Sequence, residues 1–268
     1  MLLTASSPLV SVQGPSVTVY EHTPRPAVRG VVVFLHGYGM HARMTRYAPL
    51  YAACACHALA VLAWDMPHHG ASSDLGTPGH AWRHGRDLDA EALTADALAL
   101  VARAHTHFPD VPFVLVGESM GGALATRIAP AVAPAALVCV AGAIPIPTRS
   151  RFFVWLRVNA ALARAVARAE RRGRATALKD PLVRARPVPP SAVRAGLQLL
   201  AATEPARVRA PILYVCGQRD PVFPWRDAKR ALVSFAHAPR RVLRVIPDVA
   251  HDVLDAAVDD IVAFAHAA

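Results

Sequence analysis

Cysteine and long hydrophobic segments are scarce in this sequence. The chain has 268 residues and only four cysteines, too few for the disulfide framework of a secreted scaffold, which favours a reducing location. The longest uncharged run, residues 128–148, contains four prolines, which argues against a transmembrane helix there. Residues 1–10 lack both the basic start and the apolar stretch of a secretory signal. We therefore expect a cytoplasmic protein.

Charge is unevenly distributed along the chain. The formal net charge is +10 at pH 7, but residues 148–190 hold 11 basic and 2 acidic residues, and the remainder is nearly balanced. No nucleic-acid recognition motif accompanies this excess, so we expect no nucleic-acid partner. Hydrophobic residues make up 54% of the chain, enough for the buried core of one α/β domain with an insertion.

A serine motif lies between a segment predicted to form a buried strand and one predicted to form a helix. Residues 112–116 are apolar and β-branched, as in a central strand of a parallel sheet, and residues 123–131 favour helix. Between them, Gly-Glu-Ser-Met-Gly at 117–121 matches the Gly-x-Ser-x-Gly nucleophile elbow. The following helix N-terminus places amide groups beside any negative charge that develops at the serine. The pattern therefore predicts Ser119 as a nucleophile.

Strand-like and helix-like segments alternate along most of the chain. This alternation predicts an α/β fold with a mostly parallel central sheet flanked by helices on both faces. In such sheets the active site lies outside the carboxyl ends of the strands. The candidate residues follow strand-like runs, so we expect them to meet at one edge of the sheet.

A catalytic serine also needs an acid and a base, and we expect both later in the chain. In this fold the order is serine, then acid, then histidine. No acidic residue lies between Glu118 and Glu170, whereas Asp220 ends a strand-like run and enters a proline turn. Among the histidines after Asp220, His251 follows a strand and a short turn, where we expect the C-terminal helix to open. Asp220 is the predicted acid and His251 the predicted base.

A tetrahedral intermediate on the serine needs two hydrogen-bond donors for its oxyanion. The backbone N–H of Met120 is one predicted donor, because it follows the serine at the start of the helix. The second is predicted in the His36-Gly37-Tyr38 loop, with the backbone N–H of Tyr38 as the donor. We expect His36 to support this loop and to carry no proton in the reaction.

Five blocks of the sequence occur in a defined order. They are His36 to His41 with Arg46-Tyr47, Asp65 to Ser72, Gly117 to Gly122, Gly217 to Val222 and His251 to Leu254. Together they resemble the monoacylglycerol lipase/lysophospholipase branch of the α/β-hydrolases, although His68 replaces a glycine of that family. The resemblance implies hydrolysis of monoacylglycerols or lysophospholipids, without a cofactor, through an acyl-enzyme on Ser119. It also implies the acid, base and oxyanion roles given above.

The same resemblance implies a division into domains. Residues 1–147 and 205–268 form the predicted α/β-hydrolase core, and residues 148–204 form a helical, arginine-rich cap. Apolar residues of the cap are predicted to line the substrate entrance: Phe152, Phe153, Trp155 and Leu156. One face of the helix predicted there is cationic: Arg157, Arg164, Arg168 and Arg171. Two interpretations stay open, a cap helix with solvated arginines and a helix that contacts an anionic membrane peripherally.

Several other functions compete with this interpretation. Five histidines lie between residues 36 and 69, but no zinc-protease pattern occurs, so we expect no metal site. A small-ester carboxylesterase or an acyltransferase could use the same three residues. A binding protein of the same fold, without catalysis, is the alternative from another functional class.

Overall fold

An eight-stranded sheet forms the centre of the protein, in the order β1-β2-β4-β3-β5-β6-β7-β8. The computed structural model describes residues 4–9, 17–24, 27–72, 88–142, 159–160, 188 and 190–268. The strands are β1 (Thr4–Leu9), β2 (Val17–His22), β3 (Gly30–Leu35), β4 (Leu59–Trp64), β5 (Phe113–Glu118), β6 (Ala136–Val140), β7 (Ile212–Gly217) and β8 (Arg241–Ile246). Strand β2 pairs antiparallel with β1 and β4, and the other neighbours pair in parallel. The predicted α/β class with a mostly parallel sheet is confirmed.

Helices cover both faces of the sheet. They are α1 (Ala48–Cys56), α2 (Ala90–His107), α3 (Met120–Val132), α4 (Pro190–Ala201), α5 (Trp225–Ala231) and α6 (Val258–His266). Buried residues of α2 to α5 share one hydrophobic cluster with one face of the sheet, and those of α1 and α6 share a second cluster with the other face. Within the described ranges, no helix is both long enough and apolar enough to cross a bilayer.

The burial of each strand follows from its sequence. Strand β3 is a continuous apolar run, and β5 is apolar up to the glutamate that ends it. Every residue in both strands is buried, because helices pack on both faces of the sheet. Strand β8 lies at the edge and is exposed or half-buried along its length. Its arginines, Arg241 and Arg244, are charged side chains of the kind that protects an open sheet edge from pairing with another chain.

The C-terminal helix begins later than the sequence indicated. His251 lies in a bend, a 3₁₀ turn follows at Asp255–Ala257, and α6 begins at Val258. The expectation that His251 opens this helix is therefore wrong. The physical reason is that Val253 and Leu254 are fully buried in the cluster shared by α1 and α6, so the chain packs onto that face before it turns into the helix.

Helix α4 lies within the range predicted to form the cap, and the sequence analysis did not identify it. Its buried residues, Ala192, Val193, Ala195 and Leu199, recur at helical spacing and pack against α2 and α3. The two faces of this helix differ clearly in hydrophobicity, so the sequence carried a helical signal that the analysis overlooked.

Candidate active site

Ser119 lies at the tip of a sharp turn between β5 and α3. Its backbone has φ 51° and ψ −113°, which non-glycine residues rarely adopt, so the turn is strained. The Ser119 amide donates to the Val140 carbonyl at 2.9 Å, and the Gly122 amide donates to the Ser119 carbonyl at 3.0 Å. A Cβ at Gly121 would overlap the carbonyl oxygen of Leu35, so only glycine lets α3 approach β3 this closely. These contacts hold the serine at the carboxyl edge of the sheet.

The structure brings the three residues of the predicted triad into one hydrogen-bonded chain. The Nε2 atom of His251 lies 3.1 Å from the Oγ atom of Ser119, and its Nδ1 atom lies 2.8 Å from Oδ2 of Asp220. The other oxygen of Asp220 accepts from the amides of Val222 at 2.7 Å and Phe223 at 3.0 Å. Because the carboxylate accepts the Nδ1 proton, the Nε2 lone pair faces the serine hydroxyl, which can donate to it.

The surroundings of His251 favour its protonated form. Desolvation by burial lowers the pKa of His251, but the hydrogen bond and charge of Asp220, followed by the charges of Glu118 and Asp252, raise the pKa above its ordinary value. The ring of Phe223 lies 5.8 Å from the imidazole, centroid to centroid. A histidine of this kind can take a proton from the serine and hold it on a stabilised imidazolium.

A buried carboxylate lies directly beside the serine, and the sequence analysis assigned it no role. Glu118 is 4% exposed, accepts a hydrogen bond from the Tyr47 hydroxyl and receives one from the Arg46 guanidinium at 2.8 Å. Arg46 also forms an ion pair with Asp252, the residue after His251. The signal in the sequence is a glutamate that ends an otherwise apolar strand.

The loop after β3 lies against the serine. A Cβ at Gly37 would be 3.3 Å from the Cβ of Ser119, so the backbone that leads to Tyr38 passes next to the elbow. His36 is fully buried, donates from Nδ1 to the Gly37 carbonyl at 2.8 Å and accepts from the Met66 amide at 2.9 Å through Nε2. Burial lowers the pKa of His36 to about 4, so its imidazole stays neutral. These bonds connect the loops after β3 and β4.

The predicted oxyanion donors belong to α3 and to the loop after β3. Met120 is the first residue of α3, so its amide has no acceptor within the helix. Tyr38 follows Gly37 in the adjacent loop, and its ring packs edge-on against His69 at 5.3 Å. The oxyanion roles of Tyr38 and Met120 stay predictions.

Asp65 connects three segments around the site. Its buried carboxylate accepts from the Ala42 amide at 2.7 Å, the Ala71 amide at 2.7 Å and the Tyr20 hydroxyl at 3.0 Å. Gly70 has φ +49°, and a Cβ there would overlap the Asp65 carboxylate, so this loop requires glycine. The geometry indicates that Asp65 organises these loops.

The predictions for the cap lie outside the described residues. They concern Phe152, Phe153, Trp155 and Leu156 at the substrate entrance, and Arg157, Arg164, Arg168 and Arg171 on the cationic face. The division into a core and a cap, and the contact with an anionic membrane, therefore stay predictions from the sequence. Within the ranges that the structure describes, no group of three or more His, Cys, Asp or Glu side chains is placed to hold a metal ion.

Comparison with curated proteins gives a relative that matches part of the chain. It is a monoacylglycerol lipase of Mycolicibacterium smegmatis, 36% identical over 102 residues. The matched segment covers 38% of this chain and 33% of that lipase. The chain thus matches about one third of the length of this relative.

Solved structures share the fold over nearly the whole chain. A carboxyl esterase from Bacillus coagulans superimposes with a TM-score of 0.75 at 18% identity and covers 98% of both chains. A soluble variant of monoglyceride lipase from Saccharomyces cerevisiae has a TM-score of 0.73 at 14% identity, over 98% of this chain and 93% of that one. At these identities the likeness shows the fold alone.

A protein-family model matches a much longer part of the sequence. It is the model described as "Serine aminopeptidase, S33" (Hydrolase_4), and it matches residues 26–256. This range extends from the loop before β3 to the residues just before α6 and includes Ser119, Asp220 and His251. With a match of this extent, the chain belongs to the serine aminopeptidase S33 family, within the α/β-hydrolase superfamily.

Proposed function

We propose that the protein is a serine hydrolase that cleaves carboxylic esters of lipid-like substrates, either monoacylglycerols or lysophospholipids. The observation that carries this proposal is the hydrogen-bonded chain Ser119–His251–Asp220 at the strained turn. A serine hydroxyl is a weak nucleophile by itself and becomes reactive when a base accepts its proton. The three side chains supply the nucleophile, the base and the group that orients the base.

In the proposed reaction, Ser119 Oγ attacks the ester carbonyl carbon while its proton moves to Nε2 of His251. Asp220 stabilises the imidazolium through its bond to Nδ1. The backbone N–H groups of Met120 and Tyr38 donate to the carbonyl oxygen, which becomes negative in the tetrahedral intermediate. The C–O bond to the alcohol then breaks, and His251 gives its proton to the leaving alcohol. The acyl group stays on Ser119.

A water molecule completes the cycle, and His251 again acts first as a base and then as an acid. The water loses a proton to His251 as it attacks the acyl carbonyl, and the proton then returns to Ser119 when the carboxylic acid leaves. If an alcohol took the place of water, the same acyl-enzyme would transfer its acyl group to form a new ester. Acyl transfer is therefore a second outcome of one mechanism.

The preference for esters rests on the relatives, and the preference for lipid-like esters rests on the sequence resemblance. The partial curated relative is called a monoacylglycerol lipase, and the two solved structures are called a carboxyl esterase and a monoglyceride lipase. The family description names an aminopeptidase instead. A test of the proposal therefore needs ester and amide substrates side by side.

The proposal is tested with p-nitrophenyl esters of two to sixteen acyl carbons and aminoacyl p-nitroanilides, using wild type and Ser119→Ala. We expect hydrolysis of the longer esters that the substitution abolishes, followed by the same result with monoacylglycerols and lysophospholipids. Activity limited to short chains would indicate a small-ester carboxylesterase, and Ser119-dependent cleavage of anilides would indicate a peptidase. Absence of both activities and of covalent labelling by a fluorophosphonate would favour a non-catalytic binding protein.

A further inference from the structure

One arginine connects the residues next to the serine and the histidine. The Nη2 nitrogen of Arg46 donates to Oε1 of Glu118 at 2.8 Å and pairs with Oδ1 of Asp252. Glu118 immediately precedes Ser119, and Asp252 immediately follows His251. Arg46 itself lies in the 3₁₀ turn before α1, so the contact joins three segments that are remote in sequence.

The environment of the contact differs at its two ends. The side chains of Arg46 and Glu118 are 15% and 6% exposed, whereas that of Asp252 is 73% exposed. A carboxylate that is buried without a counter-charge is strongly unfavourable, so Glu118 depends on Arg46 and on the Tyr47 hydroxyl. The Asp252 end is open to solvent, and its contribution is weaker and sensitive to salt.

This charge arrangement bears directly on the proposed base. Among the described residues, three carboxylates raise the affinity of His251 for a proton: Asp220 from the loop after β7, Glu118 from β5 and Asp252 from its own loop. Arg46 is the cation that contacts two of the three. The turn itself requires glycines and a strained serine but no buried charge, so the formation of the turn does not account for the buried Glu118–Arg46 pair.

We propose that Arg46 is a positioning residue of the active site, which holds the serine turn and the histidine loop together and balances the negative charge that faces His251. The proposal rests on the proposed function, because it assigns a role relative to the Ser119–His251 pair. It predicts that removal of the cation and removal of the buried anion move the protonation of His251 in opposite directions. A purely structural role predicts no such opposition.

The expected shifts follow from the sign of each charge. Arg46→Gln leaves the carboxylates of Glu118 and Asp252 without their cation, and we expect it to raise the pKa of His251 by about 0.5–1 unit. Glu118→Gln removes a negative charge with little change of shape, and we expect a decrease of similar size. The double variant should return the pKa to within roughly 0.3 unit of wild type, because the two effects oppose each other.

The measurement is an NMR titration of the His251 imidazole, assigned by comparison with His251→Gln, in the full-length chain. Arg127→Gln is the matched control, because Arg127 is also a largely buried arginine paired with an exposed carboxylate, that of Glu91. It makes no contact with the Ser119–His251 pair, so the pKa of His251 should not change. Arg46→Lys keeps the charge and should hold the pKa near the wild-type value.

Kinetics provide the second readout. The acid limb of kcat/KM should move with the pKa of His251 in each variant, and kcat should fall several-fold in Arg46→Gln while KM changes little. If Arg46→Gln or Glu118→Gln does not fold, Asp252→Asn tests the same charge effect at an exposed position and should lower the pKa slightly. Shifts in the same direction, or none, would overturn the proposal.

The two proposals fail in different ways. Titration shifts of the expected signs in a protein that hydrolyses no ester would overturn the proposed function and retain the role of Arg46. Ser119-dependent hydrolysis without any shift of the His251 pKa would retain the function and overturn the role of Arg46.

Discussion

Two aspartate–histidine clusters lie at the carboxyl edge of the sheet and use the same residue types differently. In the loops after β3 and β4, Asp65 accepts from two backbone amides and a tyrosine hydroxyl, and His36 bonds only to backbone atoms. After β7 and β8, Asp220 bonds directly to His251, which faces Ser119. Burial lowers the pKa of His36, whereas the environment of His251, with Asp220 as its main charged partner, raises that of His251.

The difference shows what separates a structural cluster from a reactive one. Both aspartates are buried and both are followed within two residues by a proline, so their local sequences look alike. What differs is the partner, since backbone amides and a tyrosine hydroxyl stay uncharged near neutral pH, whereas an imidazole gains and loses a proton there. The same substitution in each cluster should therefore affect different properties, stability in the first and turnover in the second.

The largest expected effect is that of Asp220→Asn on turnover. An asparagine can present its NH2 group to Nδ1, which favours the tautomer with the proton on Nε2, and this tautomer cannot accept the proton of Ser119. We expect kcat/KM for an ester to fall about 10³–10⁴-fold with little change in the free energy of unfolding. Stopped-flow or plate kinetics with urea denaturation would measure both, and a loss below tenfold would contradict the role of Asp220.

The pH profile gives a second test of the same residue. Because the pKa of wild-type His251 is raised, kcat/KM should increase with pH through an acid limb that lies above the ordinary histidine value of about 6.5. In Asp220→Asn the residual activity should show this limb at lower pH, since the main group that raises the pKa is gone. A limb at the same pH in both proteins would contradict the assignment.

The matching substitution in the other cluster, Asp65→Asn, should act on stability. Three donors converge on the Asp65 carboxylate, and the NH2 group of asparagine would face at least one of them as a second donor. We expect the free energy of unfolding to fall by about 2–3 kcal/mol. The acid limb of kcat/KM should stay in place, and a shift of that limb would mean that Asp65 belongs to the reactive cluster.

His36 should make the protein less stable in acid. Its pKa is about 4 in the folded protein and about 6.5 when unfolded, so the unfolded chain binds a proton first as the pH falls. The contribution of neutral His36 to the free energy of unfolding is fully present above pH 6.5. It is lost as the pH falls from 6.5 to 4, and the loss amounts to ~3 kcal/mol at most. Urea denaturation across this range should show a shallower pH dependence for His36→Gln than for wild type. The exposed His57 offers a control, and His57→Gln should keep the wild-type slope.

Sequence reasoning succeeded where the chemistry leaves a local signature. The strand-turn-helix around Ser119 and the proline turn after Asp220 can each be recognised within a few positions. The pairs of Arg46 with Glu118 and Asp252 could not be predicted in this way, because they join segments brought together only by the sheet order. The start of α6 was missed for a related reason, since Val253 and Leu254 pack on another element before the helix begins.

The smallest predicted effect is that of Tyr20→Phe. This substitution measures how much the hydrogen bond from Tyr20 contributes to the stability of the cluster around Asp65. The Tyr20 hydroxyl donates to Asp65 at 3.0 Å and lies on β2, away from the serine. Its removal should cost about 1 kcal/mol of unfolding free energy and leave kcat/KM unchanged. If the tyrosine acts through Asp65, the double variant Tyr20→Phe/Asp65→Asn should be no less stable than Asp65→Asn alone, because the hydrogen bond is already impaired. Strictly additive losses would show instead that the Tyr20 hydroxyl stabilises the fold independently of the Asp65 carboxylate, because Tyr20→Phe keeps the ring and its packing in the cluster of α1 and α6.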